Sequence, residues 1–321
     1  MQLIATPLNP VPYGGAVLRV PGEGPALRAA IWPSEGEANG TAIVMPGRAE
    51  YIERYFETVS DLRRRRFAVV VFDWRGQGGS ERMLSDPHKG HVSRFQHYED
   101  DAMRVFNTLV SGQLPEPYIC LAHSMGGNVA LRLAARADCP FSRVVASAPL
   151  LAVHPKRLRV PEPLAYGFAQ SMRAIGLGHR YVPGGREASF EVVEFPDNFL
   201  THDRMRFDRN REIAEIAPEL SIGDPSISWL GAALSSCRDL ATPDHAKQIR
   251  VPVLLMTAER DRIVSTQATE RFANHLAVGK CLMMPGAEHE LLQETDAIRA
   301  RFFSAFDAFM TRDAIAQTAA A

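Results

Sequence analysis

Apolar residues along this chain follow two alternating periods. Short, almost continuous apolar runs at 42–45, 67–72, 118–121, 144–146, 251–256 and 280–284 are too short for helices and read as strands covered on both faces. Between them, the stretches 52–66, 96–112, 125–137, 266–276 and 296–310 place apolar side chains at helical spacing. The last is the clearest, with Ile298, Phe302, Phe303, Phe306 and Phe309 on one stripe. Strands and helices taking turns in this way predict an α/β architecture, a mostly parallel central sheet flanked by helices.

The rhythm stops once. From about 151 to 246 the strand runs disappear, and proline, arginine and short helical pieces replace them. Leu164, Phe168, Met172 and Ile175 form one helical stripe, and a second begins near Trp229 and stops before Pro243. The pattern predicts a core made of 1–150 and 247–321, with 151–246 inserted as a helical cap. The cap stripe has two readings, packing against the core or lining a groove. Leu164, Phe168, Met172 and Trp229 are the candidates for the second.

Composition narrows the function. The 321 residues are 46% hydrophobic, with 36 basic and 37 acidic side chains and a formal net charge of -1. A chain so apolar and so balanced can bury a large core. It offers no basic footprint for a nucleic-acid partner. Cys120, Cys139, Cys237 and Cys281 lack metal-ligand or disulfide spacing and read as small hydrophobes, so no metal is expected. The N-terminus lacks the pattern of a secretory leader and no run reaches the ~18 apolar residues of a membrane span, so a soluble, cytoplasmic protein is expected. Arg63 to Arg66 reads as a solvated helix end, with peripheral contact to an anionic membrane as the lesser alternative. Arg75-Gly-Gln-Gly-Gly79 follows a strand but lacks the third glycine of a dinucleotide loop, so no cofactor is implied.

Ala122-His-Ser-Met-Gly-Gly127 joins a predicted strand to a predicted helix. A serine on such a turn is presented as a nucleophile, and its small neighbours relieve the crowding there. The bland alternative is an ordinary helix N-cap. A serine hydroxyl needs a base, and the base an acid to orient it. Asp261 and His289 each follow a later strand, in the order Ser, acid, His. Glu259 competes with Asp261 for the acid role, and His123 reads as a wall of the turn. The amides of Met125 and Arg48 are the expected oxyanion donors, one following the nucleophile and the other on the loop after an earlier strand.

These residues, together with Pro46-Gly-Arg-Ala-Glu-Tyr-Ile-Glu-Arg-Tyr55, Asp73-Trp-Arg-Gly-Gln-Gly-Gly-Ser80, Asp86-Pro-His-Lys-Gly-His-Val92 and the run from Leu200 to Arg211, resemble the α/β-hydrolases of the bacterial lysophospholipase group and, more distantly, monoacylglycerol lipases. Ala122 and Pro46 depart from the Gly and His common there. The resemblance implies an α/β-hydrolase fold and a Ser124, Asp261, His289 triad that cleaves a carboxylic ester of a single-chain lipid. A monoacylglycerol, a short ester or another acyl compound is the alternative substrate, and a non-catalytic binder the remote one. A phosphate-bearing head would call for arginine near the mouth. Arg204 is the candidate, although 151–246 as a whole carries more acid than base.

Overall fold

The β-branched runs do come together as one sheet. The computed structural model describes residues 2–187 and 193–318, and eight strands lie in the order β1-β2-β4-β3-β5-β6-β7-β8. They are β1 (Ala16–Val20), β2 (Leu27–Trp32), β3 (Gly40–Met45), β4 (Phe67–Phe72), β5 (Tyr118–His123), β6 (Arg143–Ser147), β7 (Val253–Ala258) and β8 (Gly279–Met284). From β3 to β8 all neighbours are parallel, whereas β1 and β2 join antiparallel at one edge.

Because side chains alternate along a strand, each run feeds two cores. Ile43, Met45, Val70, Phe72, Cys120 and Ala122 face one side, Ala42, Val44, Val69, Val71, Ile119 and Leu121 the other. Helices α2 (Gln96–Val105), α3 (Met125–Ala134) and α9 (Thr266–Ala273) contribute to the first core, α1 (Phe56–Arg64) and α10 (Asp296–Thr318) to the second. The Phe stripe of α10 buries Phe302, Phe303 and Phe306 there.

Two expectations change. Strands β1 and β2 carry no signal in the apolar pattern, because Leu27-Arg-Ala-Ala-Ile-Trp32 is alanine-rich and holds a charge. Arg28 is nonetheless buried, its Nε 2.6 Å from Asp73 and its Nη2 2.7 Å from Glu53. The apolar run of β8 is not covered on both faces. It is the last strand, pairing only with β7, and Leu282 and Met283 are exposed.

Between β6 and β7 lie α4 (Pro155–Leu158), α5 (Glu162–Ala174), α6 (Arg204–Ile216), α7 (Ile227–Leu240) and α8 (Pro243–Gln248). Small residues let α5 and α7 approach closely: Ala165 and Ala169 are buried, and a Cβ at Gly231 would lie 3.2 Å from that of Ala169. Helix α6 is fastened by charge instead. Arg206 and Arg209 donate to Glu57 on α1 at 2.9 and 2.8 Å, and Arg206 also reaches Asp296 at the start of α10 at 2.7 Å.

Candidate active site

Ser124 stands between β5 and α3 with φ 48° and ψ -113°, a conformation disfavoured for any residue with a Cβ. The surroundings enforce it. Its amide donates to Ser147 O at 2.9 Å, and its carbonyl accepts from Asn128 and Leu150 at 3.2 and 2.9 Å. Gly126 has no alternative, since a Cβ would fall 2.3 Å from Met45 O and 2.6 Å from Pro46 O. Ala122 is tolerated where glycine is usual because it is still in the strand and its methyl packs in the core.

Two later loops bring the partners. His289 Nε2 is 3.0 Å from Ser124 Oγ, and its Nδ1 is 2.7 Å from Asp261 Oδ2. The other Asp261 oxygen accepts the amides of Ile263 and Val264 at 2.8 and 2.9 Å. Burial penalises the Asp261 charge, but His289 and these hydrogen bonds outweigh it and hold the pKa below the usual range. Burial likewise opposes a charge on His289, yet the Asp261 carboxylate prevails and its pKa lies above the ordinary histidine value. Glu259 points elsewhere and accepts the Gly286 amide at 2.7 Å. His123 packs against His289, ring centroids 4.8 Å apart, and is pushed down to about 4, chiefly by burial, so it is neutral at neutral pH.

The loop after β3 is tightly built. Glu50 accepts from the Gly47 amide and from Tyr55 Oη, Gln77 accepts the Ala49 amide at 2.7 Å, and Trp74 donates to Pro46 O at 2.8 Å. The 73–80 segment is therefore a scaffold for this loop, with Asp73 taking Ile52 N and Gly79 N at 2.9 and 2.7 Å. Met125 is the first residue of α3 and lacks an intrahelical acceptor by position. Among the described residues no acceptor takes the Arg48 amide.

Above Ser124 a cavity of about 760 Å³ opens, bounded by the β3 loop, the 153–168 and 182–185 segments, Phe199, Leu200, Asp224 and Trp229. Leu164 and Phe168, 65% and 40% exposed, line it. The small residues Ala165 and Ala169 do the packing of α5, which leaves the larger side chains to the cavity. Trp229 lines it too. Met172 does not, lying one turn beyond on the same stripe. Arg204 is also outside: it pairs with Asp208 at 2.5 Å and lies over Phe195. The cations at the cavity are Arg48, Lys156, Arg157 and Arg159.

Residues 36–296 match the family described as serine aminopeptidase, S33. The chain belongs to this family of serine hydrolases. It is 31% identical over 281 residues to lysophospholipase L2 of Escherichia coli K12, covering 84% of this chain and 80% of that one. It is also 31% identical over 153 residues to rat monoglyceride lipase, 47% of this chain and 48% of the relative. Its fold matches a soluble variant of monoglyceride lipase from Saccharomyces cerevisiae, solved with a substrate analog, with a TM-score of 0.72 at 17% identity over 93% of this chain and 96% of that chain. The fold is thus the α/β-hydrolase fold.

Several residues of this S33 hydrolase site have no signal in the sequence pattern. Glu50 is one isolated acid, and the loops at 182–185, 199–200 and 224–225 have no periodicity. Only the folded chain brings them to Ser124.

Proposed function

We propose that this S33 hydrolase is a lysophospholipase-like esterase that cleaves a carboxylic ester of a single-chain lipid through an acyl-enzyme. The observation that carries the reading is the hydrogen-bonded chain Asp261, His289, Ser124 at the floor of a cavity with an apolar wall of Leu158, Val160, Leu164 and Phe168. His289 accepts the Ser124 proton as Oγ attacks the ester carbonyl, and the carbonyl oxygen takes the negative charge. The Arg48 and Met125 amides hold that oxyanion, each donor contributing about 3–4 kcal/mol. Collapse expels the alcohol, which takes the proton from His289; water then repeats the cycle on the acyl-enzyme and releases the fatty acid.

In this reading 1–150 and 247–321 form the catalytic core, and 151–246 is a cap that shapes the entrance. The sequence similarity to lysophospholipase L2 across four fifths of the chain supports a lysophospholipid over a neutral glyceride. No helix among the described residues is long and apolar enough to cross a membrane, which agrees with an enzyme that works on dispersed or peripherally presented lipid.

Ser124→Ala tests the reading. Ester turnover falls by roughly a millionfold, the circular dichroism spectrum is kept, and a fluorophosphonate that adds one adduct to the native protein adds none. Turnover at native rates overturns the assignment. Rates on lysophosphatidylcholine, a monoacylglycerol of the same chain and a short p-nitrophenyl ester rank the substrates, and a preference for the short ester overturns the lipid reading.

A further inference from the structure

The side chain of Arg48 has a place of its own. Its backbone belongs to the loop proposed to hold the oxyanion, yet its guanidinium turns into the wall of the cavity. There it donates through Nη2 to Gly223 O and lies over the Trp229 ring, 5.3 Å from the centroid. Its Nε is fully enclosed without a hydrogen-bond partner. No carboxylate lies within ion-pair distance of it among the described residues. Asp224 is the acid that acts on it most strongly, and one Asp224 oxygen already accepts the Arg186 amide at 3.0 Å.

A fixed, poorly solvated cation without a counter-ion is costly to keep. The cost shows in its titration: burial, against the pull of Asp224 and aided by the like charge of Arg157, brings the Arg48 pKa down to about 10. Arg157 itself lines the same cavity, and its guanidinium has only the Phe199 ring, 5.9 Å away, as a described partner. Lys156 and Arg159 complete the rim. Among the described residues none of these three has a carboxylate at ion-pair distance. Asp224 lines the cavity with them but stands at ion-pair distance from neither, and two cations that repel one another at one cavity are what an anionic group would bridge. Leu158, Val160, Leu164 and Phe168 give the same cavity an apolar lining, so it offers contact for an acyl chain as well as the cations.

From these observations we infer that the Arg48 guanidinium, with Arg157, forms the subsite for the phosphate of the substrate's glycerophosphoryl head. An arginine side chain spans a number of bonds comparable to those between an ester carbonyl and the phosphorus of a lysophospholipid. A carbonyl held at the Arg48 amide therefore leaves the phosphate within reach of the Arg48 side chain. The planar guanidinium suits two phosphate oxygens, and Trp229 and Gly223 fix its orientation beforehand. The inference rests on the single-chain-lipid reading above and names which head that reading selects.

The test uses the full chain and two readouts. The first is the ratio of kcat/KM on lysophosphatidylcholine to that on monoacylglycerol of the same acyl chain. The second is competitive inhibition of p-nitrophenyl butyrate turnover by glycerophosphocholine, which requires no lipid turnover. In Arg48→Met the ratio falls about 20-fold or more and inhibition weakens at least about tenfold, and Arg48→Lys recovers part of both. Arg157→Ala, at an exposed position that leaves the fold unaffected, lowers both by about three- to tenfold and keeps the proposal testable if Arg48→Met fails to fold. If Arg48 only latches the β3 loop to Gly223, the two lipid rates fall together and the ratio and the inhibition are unchanged, which overturns the proposal. A wild-type enzyme that cleaves the butyrate ester but neither lipid overturns the lipid reading instead, and inhibition by glycerophosphocholine still decides the role of Arg48.

Discussion

Ser124 combines a strained backbone with a hydrogen bond to His289, and in the proposed mechanism the protonation of that histidine sets the rate. Because its partner Asp261 stabilises the imidazolium, the base form appears only above the ordinary histidine range, near 6.5. On a soluble ester, kcat/KM therefore rises with pH through an inflection above about 6.5. His123, held near 4, is neutral throughout that window, so an inflection near 4 identifies it as the base and refutes the role of His289. Asp261→Asn removes the stabilising charge, moves the inflection down and lowers kcat by about 10⁴-fold. Asp261 is the expected acid in a linear reading and Glu259 its competitor, both lying just past the same strand. The choice is made by space, because only Asp261 is turned back by the Ile263 and Val264 amides toward His289.

Elements were legible wherever apolar periodicity was the force that formed them. Strands β3 to β7 and helices α3, α9 and α10 lie close to where the pattern places them, since burial on both sheet faces leaves an unmistakable run. Strands β1 and β2 escape the pattern because their edge is held by ion pairs of Arg28. Helix α6 is a similar case: Arg206 and Arg209 lie in a charge-rich run without apolar periodicity, yet both are buried on Glu57 of α1. Burial opposes the Glu57 charge, yet Arg206, Arg209 and Arg299 bring its pKa down to about 2 from 4.5. A depressed carboxylate contributes stability above its unfolded pKa, and the contribution is lost as pH falls toward 2. Glu57→Gln therefore lowers stability at pH 7 by roughly 1–3 kcal/mol after allowance for partial exposure. The loss is followed by thermal denaturation, and the gap between native and variant narrows between about pH 4.5 and 2. An equal gap at pH 7 and pH 3 contradicts this role.

At the scale of the whole molecule, the cavity results from several segments meeting: the β3 loop, the elbow, α5 and the loops around Gly184 and Asp224. Phe168 belongs to its apolar wall, so Phe168→Ala should reduce kcat/KM on long-chain esters about 5- to 30-fold more than on a butyrate ester, the worth of roughly 1–2 kcal/mol of apolar contact. Equal losses on both chain lengths would place Phe168 outside the acyl path. The sequence by itself determined the alternating sheet and helix architecture, the elbow and the order of Ser124, Asp261 and His289, because periodicity and local crowding act over a few residues. Tertiary structure alone decided which side chains of α5 face the cavity, that Arg204 lies outside it, and that Arg48 sits beside Trp229 without a carboxylate at ion-pair distance. Those outcomes depend on contacts between segments far apart in the chain, where packing of Ala165 and Ala169 against α7 fixes the roll of one helix and the supply of nearby carboxylates fixes which cations remain free.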